Sequence, residues 1–371
     1  MAEGKLQVAP LVTHRFPFDR AQQAYEAILG KEPALGVLLE YPAEHDEAPL
    51  ARTILIGRTE KRGAPNEQSH VALIGAGQHA VRMLLPAIRN SGAHLGTVAD
   101  HNGVSAAHAA RRFGFASATT DTTEVLADPA VDTVFIATRH DSHARLVCDA
   151  LQAGKNVFVE KPLAIRAEEI ENIEAAHKTA RGILMVGFNR RFAPHVVRIQ
   201  ELLKANPGPK AMVMTVNAGA MPADHWTRDS ARGGGRIIGE ACHFIDLLRF
   251  LAASAIVSTR VTRLSEDTVT ISLAFAGGST GTVHYLANGH KAFPKERLEI
   301  FCGGRILQLD NFRSLRGYGW PGFRNMRSWK QDKGHAAGVS AFISAIRSGG
   351  PSPIPFEELI EVTRAAFDAA L

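Results

Sequence analysis

The sequence predicts an α/β protein in which a doubly wound parallel sheet precedes a second unit rich in strands. Apolar strands and amphipathic helices alternate from residue 71 to residue 188, and short strand patterns broken by glycine turns dominate after residue 211. The early strands are nearly unbroken apolar runs, as parallel strands must be when helices cover both faces.

The first strand, 71–74, runs into Gly75-Ala76-Gly77-Gln78-His79-Ala80. Gly75 permits a tight turn, Gly77 lets the backbone approach a pyrophosphate, and Ala80 is small enough for a helix over 78–90 to pack on the strand. The unpaired N–H groups and positive dipole end of that helix suit phosphates. A second strand, 94–99, ends at Asp100, whose carboxylate can accept both ribose hydroxyls of an adenosine and would repel a 2′-phosphate. This is a Rossmann dinucleotide site with Gly75, Ala76, Gly77, Gln78, His79 and Asp100 on the cofactor, and it selects NAD in preference to NADP. Helices over 105–113 and 123–127 lead to a third strand, 132–137. It opens into Thr138-Arg139-His140-Asp141-Ser142-His143 at the carboxyl edge, where open α/β sheets bind ligands. Thr138 is placed on the cofactor. His143 either packs there too or lies at the surface where a helix over 144–153 begins; Gly154 ends that helix.

The next apolar run, 156–159, delivers Glu160-Lys161-Pro162. A lysine at this strand end, downstream of a nucleotide fingerprint, can share a proton with a substrate hydroxyl lying against a nicotinamide ring. The proline stiffens the turn and removes a backbone donor. Glu160 and Lys161 are therefore expected beside the cofactor.

With Gly187-Phe188-Asn189-Arg190-Arg191 and Gly239-Glu240-Ala241-Cys242-His243 added in order, the chain resembles the Gfo/Idh/MocA oxidoreductases, the family of glucose-fructose oxidoreductase and inositol dehydrogenase, over about residues 69–371. The resemblance implies an N-terminal Rossmann domain followed by an α/β domain with a large open, mostly antiparallel sheet. That sheet would carry the substrate pocket on one face and a homo-oligomer interface on the other.

The residues after Pro162 agree. Helices are expected over 167–181 and 194–204 around a strand at 183–188, then strands over 212–217, 256–262, 268–275, 280–287, 297–301 and 306–309, and closing helices over 336–346 and 356–370. A helix beginning near Glu240 interrupts the strands, after the glycine-rich Arg232-Gly233-Gly234-Gly235-Arg236. His243, three residues beyond Glu240, shares its helical face and titrates near neutrality, so it suits the proton of a hydroxyl whose carbon loses hydride. Asp246 could orient His243 or be a buried helix partner. Lys161, His243 and Glu240 form the catalytic set, and Arg191, Trp226, Arg232 and Asp246 the substrate ligands. Inositol dehydrogenase-like members carry an aspartate where this chain has Gly239, so the acid–base set of that subgroup is incomplete here.

Residues 6–42, including His14, Asp19 and Tyr25, resemble the C-terminal end of a zinc-type medium-chain alcohol dehydrogenase. Without a cysteine before Cys148 no zinc site is expected, and the segment reads as a remnant of a fused enzyme cut at its start. The end at Ala370-Leu371, inside a helix, reads as a lost tail. The expected divisions are 1–58 (remnant and linker), 69–188 (Rossmann) and 189–371 (substrate and oligomerisation).

Three well-separated cysteines, no signal peptide and no membrane-length apolar run suggest a cytoplasmic protein with reduced thiols. The net charge of +5 is spread along the chain without the aromatic interleaving of nucleic-acid binders. Arg139, Arg190, Arg191, Arg228, Arg232 and Arg236 gather around the expected pocket and would suit an acidic sugar. The reading is an NAD(P)-dependent oxidoreductase, with NAD favoured over NADP, moving hydride between nicotinamide and a secondary alcohol or ketone of a sugar, sugar acid or nucleotide sugar. An NAD-binding sensor, an NAD-assisted lyase or hydrolase, and an inactive fragment are the alternatives.

Overall fold

The computed structural model describes residues 8–30, 33–41, 51–57, 69–222 and 224–371. Two compact units are present, Met1–Ala51 and Arg52–Leu371. In the small unit, β1 (His14–Pro17) pairs in parallel with β2 (Val37–Glu40), and helix Ala21–Leu29 connects them. Among its described residues only Ala24 is buried.

The large unit holds two sheets. The first has seven strands in the order β3-β6-β5-β4-β7-β8-β9. These are β3 (Thr53–Leu55), β4 (His70–Ile74), β5 (His94–Ala99), β6 (Ser117–Thr119), β7 (Thr133–Ile136), β8 (Asn156–Val159) and β9 (Leu184–Val186). Every pairing is parallel except that of edge strand β3 with β6. Strand β3 corrects the boundary expected at residue 58. Thr53 pairs with Thr119 and the Ile56 N–H donates to the Ala116 carbonyl, so this stretch belongs to the nucleotide-binding sheet. The late helix His335–Ser348 packs onto the same sheet, its Phe342 ring 5.8 Å from Phe135 and 5.7 Å from Phe158.

The second sheet has eight strands in the order β11-β12-β13-β10-β14-β15-β16-β17. They are β10 (Ala211–Asn217), β11 (Ile256–Ser265), β12 (Thr268–Phe275), β13 (Thr280–Leu286), β14 (Glu296–Cys302), β15 (Arg305–Asp310), β16 (Ser314–Tyr318) and β17 (Asn325–Arg327). Only the β10–β13 pairing is parallel. Alternate residues such as Met212, Met214 and Val216 are buried, as a sheet covered on one face requires. Strands β16 and β17, rich in arginine and glycine, lack an apolar alternation and were not expected.

Two helices open with π-helical turns. Ala80–Leu84 precedes helix Leu85–Asn90, and Ile237–Ala241 precedes helix Cys242–Ala252. Such wide turns are uncommon and gather at functional sites. Both of these border the same cavity.

Candidate active site

A cavity of about 490 Å³ lies where β4, β7 and β8 end, against the second π-helical turn. One wall carries His79, Thr138, His140, His143, Glu160 and Lys161. Arg190, Trp226, Glu240, His243, Lys295, Glu296, Lys333 and His335 complete the opposite wall.

Lys161 follows β8, and its Nζ donates to the Gly239 carbonyl at 2.7 Å; the Lys161–Pro162 peptide is cis. His243, the second residue of helix Cys242–Ala252, is 9% exposed, and its Nδ1 has no partner among the described residues. Burial, then above all the positive charges of Arg190 and Lys161, hold it well below the ordinary histidine value, so the ring is neutral. Glu240 accepts a hydrogen bond from the Tyr285 hydroxyl and lies 3.5 Å from Arg236. Burial pulls its carboxyl upward, but Tyr285, Lys161, Arg236 and Lys295 outweigh that and keep it ionised.

Glu160 pairs with His79 at 3.1 Å. That hydrogen bond raises His79 above the ordinary histidine value at the start of the nucleotide-binding helix. His143 is fully buried: its Nδ1 lies 2.8 Å from the Pro162 carbonyl and its Nε2 3.2 Å from the Thr138 carbonyl. The surface position considered for it is therefore excluded. His143 braces the Thr138 loop against the Lys161-Pro162 turn.

The glycine turn fits a dinucleotide. Gly75 has φ of 98°, and a Cβ on it would lie 2.6 Å from the Ala137 carbonyl carbon, whereas nothing stands within 4 Å of a Cβ on Gly77. The second glycine thus leaves open space at the helix start, ahead of Gln78, which is exposed. Asp100, at the end of β5, accepts the Ala76 N–H at 2.7 Å through Oδ2 and the Asn102 N–H at 2.8 Å through Oδ1. Oδ1 also lies 3.1 Å from the His101 Nδ1, and Oδ2 keeps a second lone pair for a ribose hydroxyl.

Three expected substrate ligands lie elsewhere. Arg191 and Asp246 are buried against one another, with the Arg191 Nε 2.9 Å from Oδ1 and 3.0 Å from Oδ2 of Asp246, and Arg191 also binds Glu358. Arg232 is exposed and lies 3.8 Å from Asp229. None of the three lines the cavity, whereas Trp226 does.

Residues 69–188 match the family model described as "Oxidoreductase family, NAD-binding Rossmann fold", and residues 208–307 match "GFO/IDH/MocA C-terminal domain". The chain carries both domains of the Gfo/Idh/MocA oxidoreductases. Its first 188 residues thus contain an NAD-binding Rossmann domain. The chain is 26% identical over 298 residues to inositol 2-dehydrogenase of Rhizobium meliloti (strain 1021), a match spanning 75% of this chain and 88% of the relative. It is 28% identical over 233 residues to levoglucosan dehydrogenase of Pseudarthrobacter phenanthrenivorans, spanning 52% of this chain and 59% of the relative. Against scyllo-inositol 2-dehydrogenase (NAD(+)) of Bacillus subtilis (strain 168) the identity is 33% over 170 residues, 45% of this chain and 48% of the relative. The fold matches that of a levoglucosan dehydrogenase solved with NADH and levoglucosan, with a TM-score of 0.73 at 24% identity over 82% of this chain and 97% of that one.

Within this Gfo/Idh/MocA frame the glycine at 239 has a steric cause. A Cβ there would stand 3.1 Å from Cε1 of His140, whose Nδ1 donates to the Gly233 carbonyl at 2.8 Å and whose ring packs edge-on against Trp226 at 4.8 Å. His140 thus fills the space into which a side chain at 239 would project. In the sequence His140 stands in its loop with no evident role, and Lys295, Glu296, Lys333 and His335 belong to no motif. Their only signal was polarity at the edges of expected strands and helices.

Proposed function

We propose that the protein uses NAD to oxidise a secondary hydroxyl of a sugar-like substrate, or reduces the corresponding ketone, with Lys161 and His243 handling the hydroxyl proton. One observation carries the reading: these two groups, from opposite halves of the large unit, face one cavity at the carboxyl end of the nucleotide-binding sheet. The inositol and levoglucosan dehydrogenases among its relatives support a ring polyol as the substrate type. Bound nicotinamide supplies the hydride acceptor. The Gly239 carbonyl fixes the Lys161 ammonium. Neutral His243 offers a nitrogen lone pair to the substrate hydroxyl and takes its proton as hydride leaves the same carbon, and its burial among cations favours releasing that proton to water in the open cavity. Ionised Glu240 accepts a second hydroxyl, and Trp226 gives the ring an apolar face.

Replacing Lys161 with Met should lower kcat about a hundredfold or more while NAD affinity holds, the scale of a lost acid–base group. An unchanged kcat would overturn the assignment. Continuous NADH formation with a polyol panel separates net oxidation from a sensor or from a lyase that uses NAD only transiently.

We further propose that residues 6–42 descend from a medium-chain alcohol dehydrogenase end without redox chemistry of its own. The sequence over 6–42 supports this, and the His14 Nδ1 lies 3.0 Å from the Thr13 hydroxyl. Among the described residues no group of three or more His, Cys, Asp or Glu side chains is placed to hold a metal. Replacing His14 with Ala should leave zinc content and turnover unchanged. A homo-oligomer joined through the open face of the eight-stranded sheet, where Phe301 and Tyr318 are exposed, is proposed on the same footing. Light scattering tests it, and a monomer at working concentration refutes it.

A further inference from the structure

The charges on the cavity wall do not balance. Lys161, Arg190, Arg236, Lys295 and Lys333 face it against Glu160, Glu240 and Glu296. Glu160 is paired with His79, and Arg236 is offset by Glu240 and Asp267, each at 3.5 Å. The remaining carboxylate, Glu296, takes two cations on one oxygen: Arg190 at 2.9 Å and Lys333 at 2.9 Å both bind Oε1, while Oε2 has no partner among the described residues. One positive charge in that corner thus lacks a counterion. Arg190 is buried and held over the Phe244 ring, whereas the Lys333 side chain stays 17% exposed. Lys295, next to Glu296 in sequence and exposed, adds a second cation that makes no ion pair among the described residues. It lies close enough to Lys333 that, after burial and together with Arg190, it helps hold that ammonium below its usual value.

Resting on the dehydrogenase reading above, we propose that the substrate is an anionic sugar, a monosaccharide bearing a carboxylate, and that Lys333 and Lys295 select it by receiving that group. The pyrophosphate does not answer the imbalance, because its site, the Gly75–Gly77 turn, is not part of the cavity wall that carries Lys295 and Lys333. A neutral polyol would leave the excess cations facing its hydroxyls with nothing to offset them, and a uronate or aldonate neutralises one of them. Among the arginines expected around the pocket, Arg191, Arg228 and Arg232 face carboxylates outside the cavity wall, Arg190 shares Glu296 with Lys333, and Arg236 is offset by Glu240 and Asp267.

The test scores binding without turnover. Full-length protein loaded with NADH is titrated with matched pairs, glucose and glucuronate, galactose and galacturonate, glucitol and gluconate, and the rise in Tm gives an apparent affinity for each. At least one carboxylated member should bind tenfold or more tightly than its neutral partner, and Lys333→Met or Lys295→Met should shrink that ratio several-fold while Lys333→Arg restores it. Equal or weaker binding of every carboxylated member, binding of none, or a ratio untouched in both methionine variants overturns the proposal. Should Lys333→Met fail to fold by circular dichroism, Lys295→Met decides. A protein that binds uronates selectively yet forms no NADH from them would refute the dehydrogenase reading and leave the charge selection standing.

Discussion

Lys161 was legible because its neighbours repeat in a fixed order, from the glycine turn through four parallel strands. Gly239 was not, since a missing side chain says nothing of what occupies its space. The structure supplies the occupant, His140, 3.1 Å from where a Cβ would stand. Gly239→Ala should therefore push the His140 ring and cost about 1–3 kcal/mol, the usual penalty for overpacking. Adding His140→Ala should return part of that loss in denaturant unfolding, and strictly additive effects would show that the two positions do not touch. Asp100 carries a second expectation. Its carboxylate sits at the end of β5, bound to the Ala76 and Asn102 amides, and a 2′-phosphate would have to approach that charge. Asp100→Ser should narrow the ratio of NAD to NADP affinity by about tenfold or more, whereas an unaltered ratio would place the discrimination elsewhere.

Among the elements, the strands of the nucleotide-binding sheet were readable because burial on both faces leaves an apolar run that little else produces. The two π-helical turns were not, because their sequences carry no local mark of the wider turn. Arg191 and Asp246 show a different limit: charged residues in a substrate-site pattern can equally be struts, and only burial decides. Here the pair joins the turn Asn189–Phe192 to helix Cys242–Ala252, and Glu358 extends it to helix Phe356–Asp368. Burial raises Asp246 to about 6 in spite of Arg191, so the carboxylate is still ionised at neutral pH. Removing one partner strands the other charge in the core. Arg191→Met should accordingly cost about 3–5 kcal/mol of unfolding free energy. A loss below 1 kcal/mol would mean the pair is solvated and free to bind substrate after all.

At the scale of the molecule, the cavity gathers histidines that the folded protein keeps from protonating. Burial first, then Lys161, drives His140 to about 3, and burial above all drives His335 to about 4; His143 and His243 are lowered for the same leading reason. In the unfolded chain each returns to about 6.5. Between that value and the folded one, the unfolded state binds protons that the native state refuses, so stability is full above pH 6.5 and falls as the pH drops. His79, raised by Glu160, acts in the opposite sense, but it is one half-exposed group against four buried ones. Asp246, raised to about 6, also opposes the trend, as the one carboxyl that titrates in this range. Four histidines outweigh it, so stability should decline from pH 7 to pH 5. Each histidine in its window contributes a slope of about 1.4 kcal/mol per pH unit. His140→Asn, which keeps a donor for the Gly233 carbonyl and cannot titrate, should flatten the decline by up to that amount. Urea unfolding at pH 7, 6 and 5 gives both slopes, and parallel lines for the two proteins would show that His140 is protonated as readily in the fold as out of it.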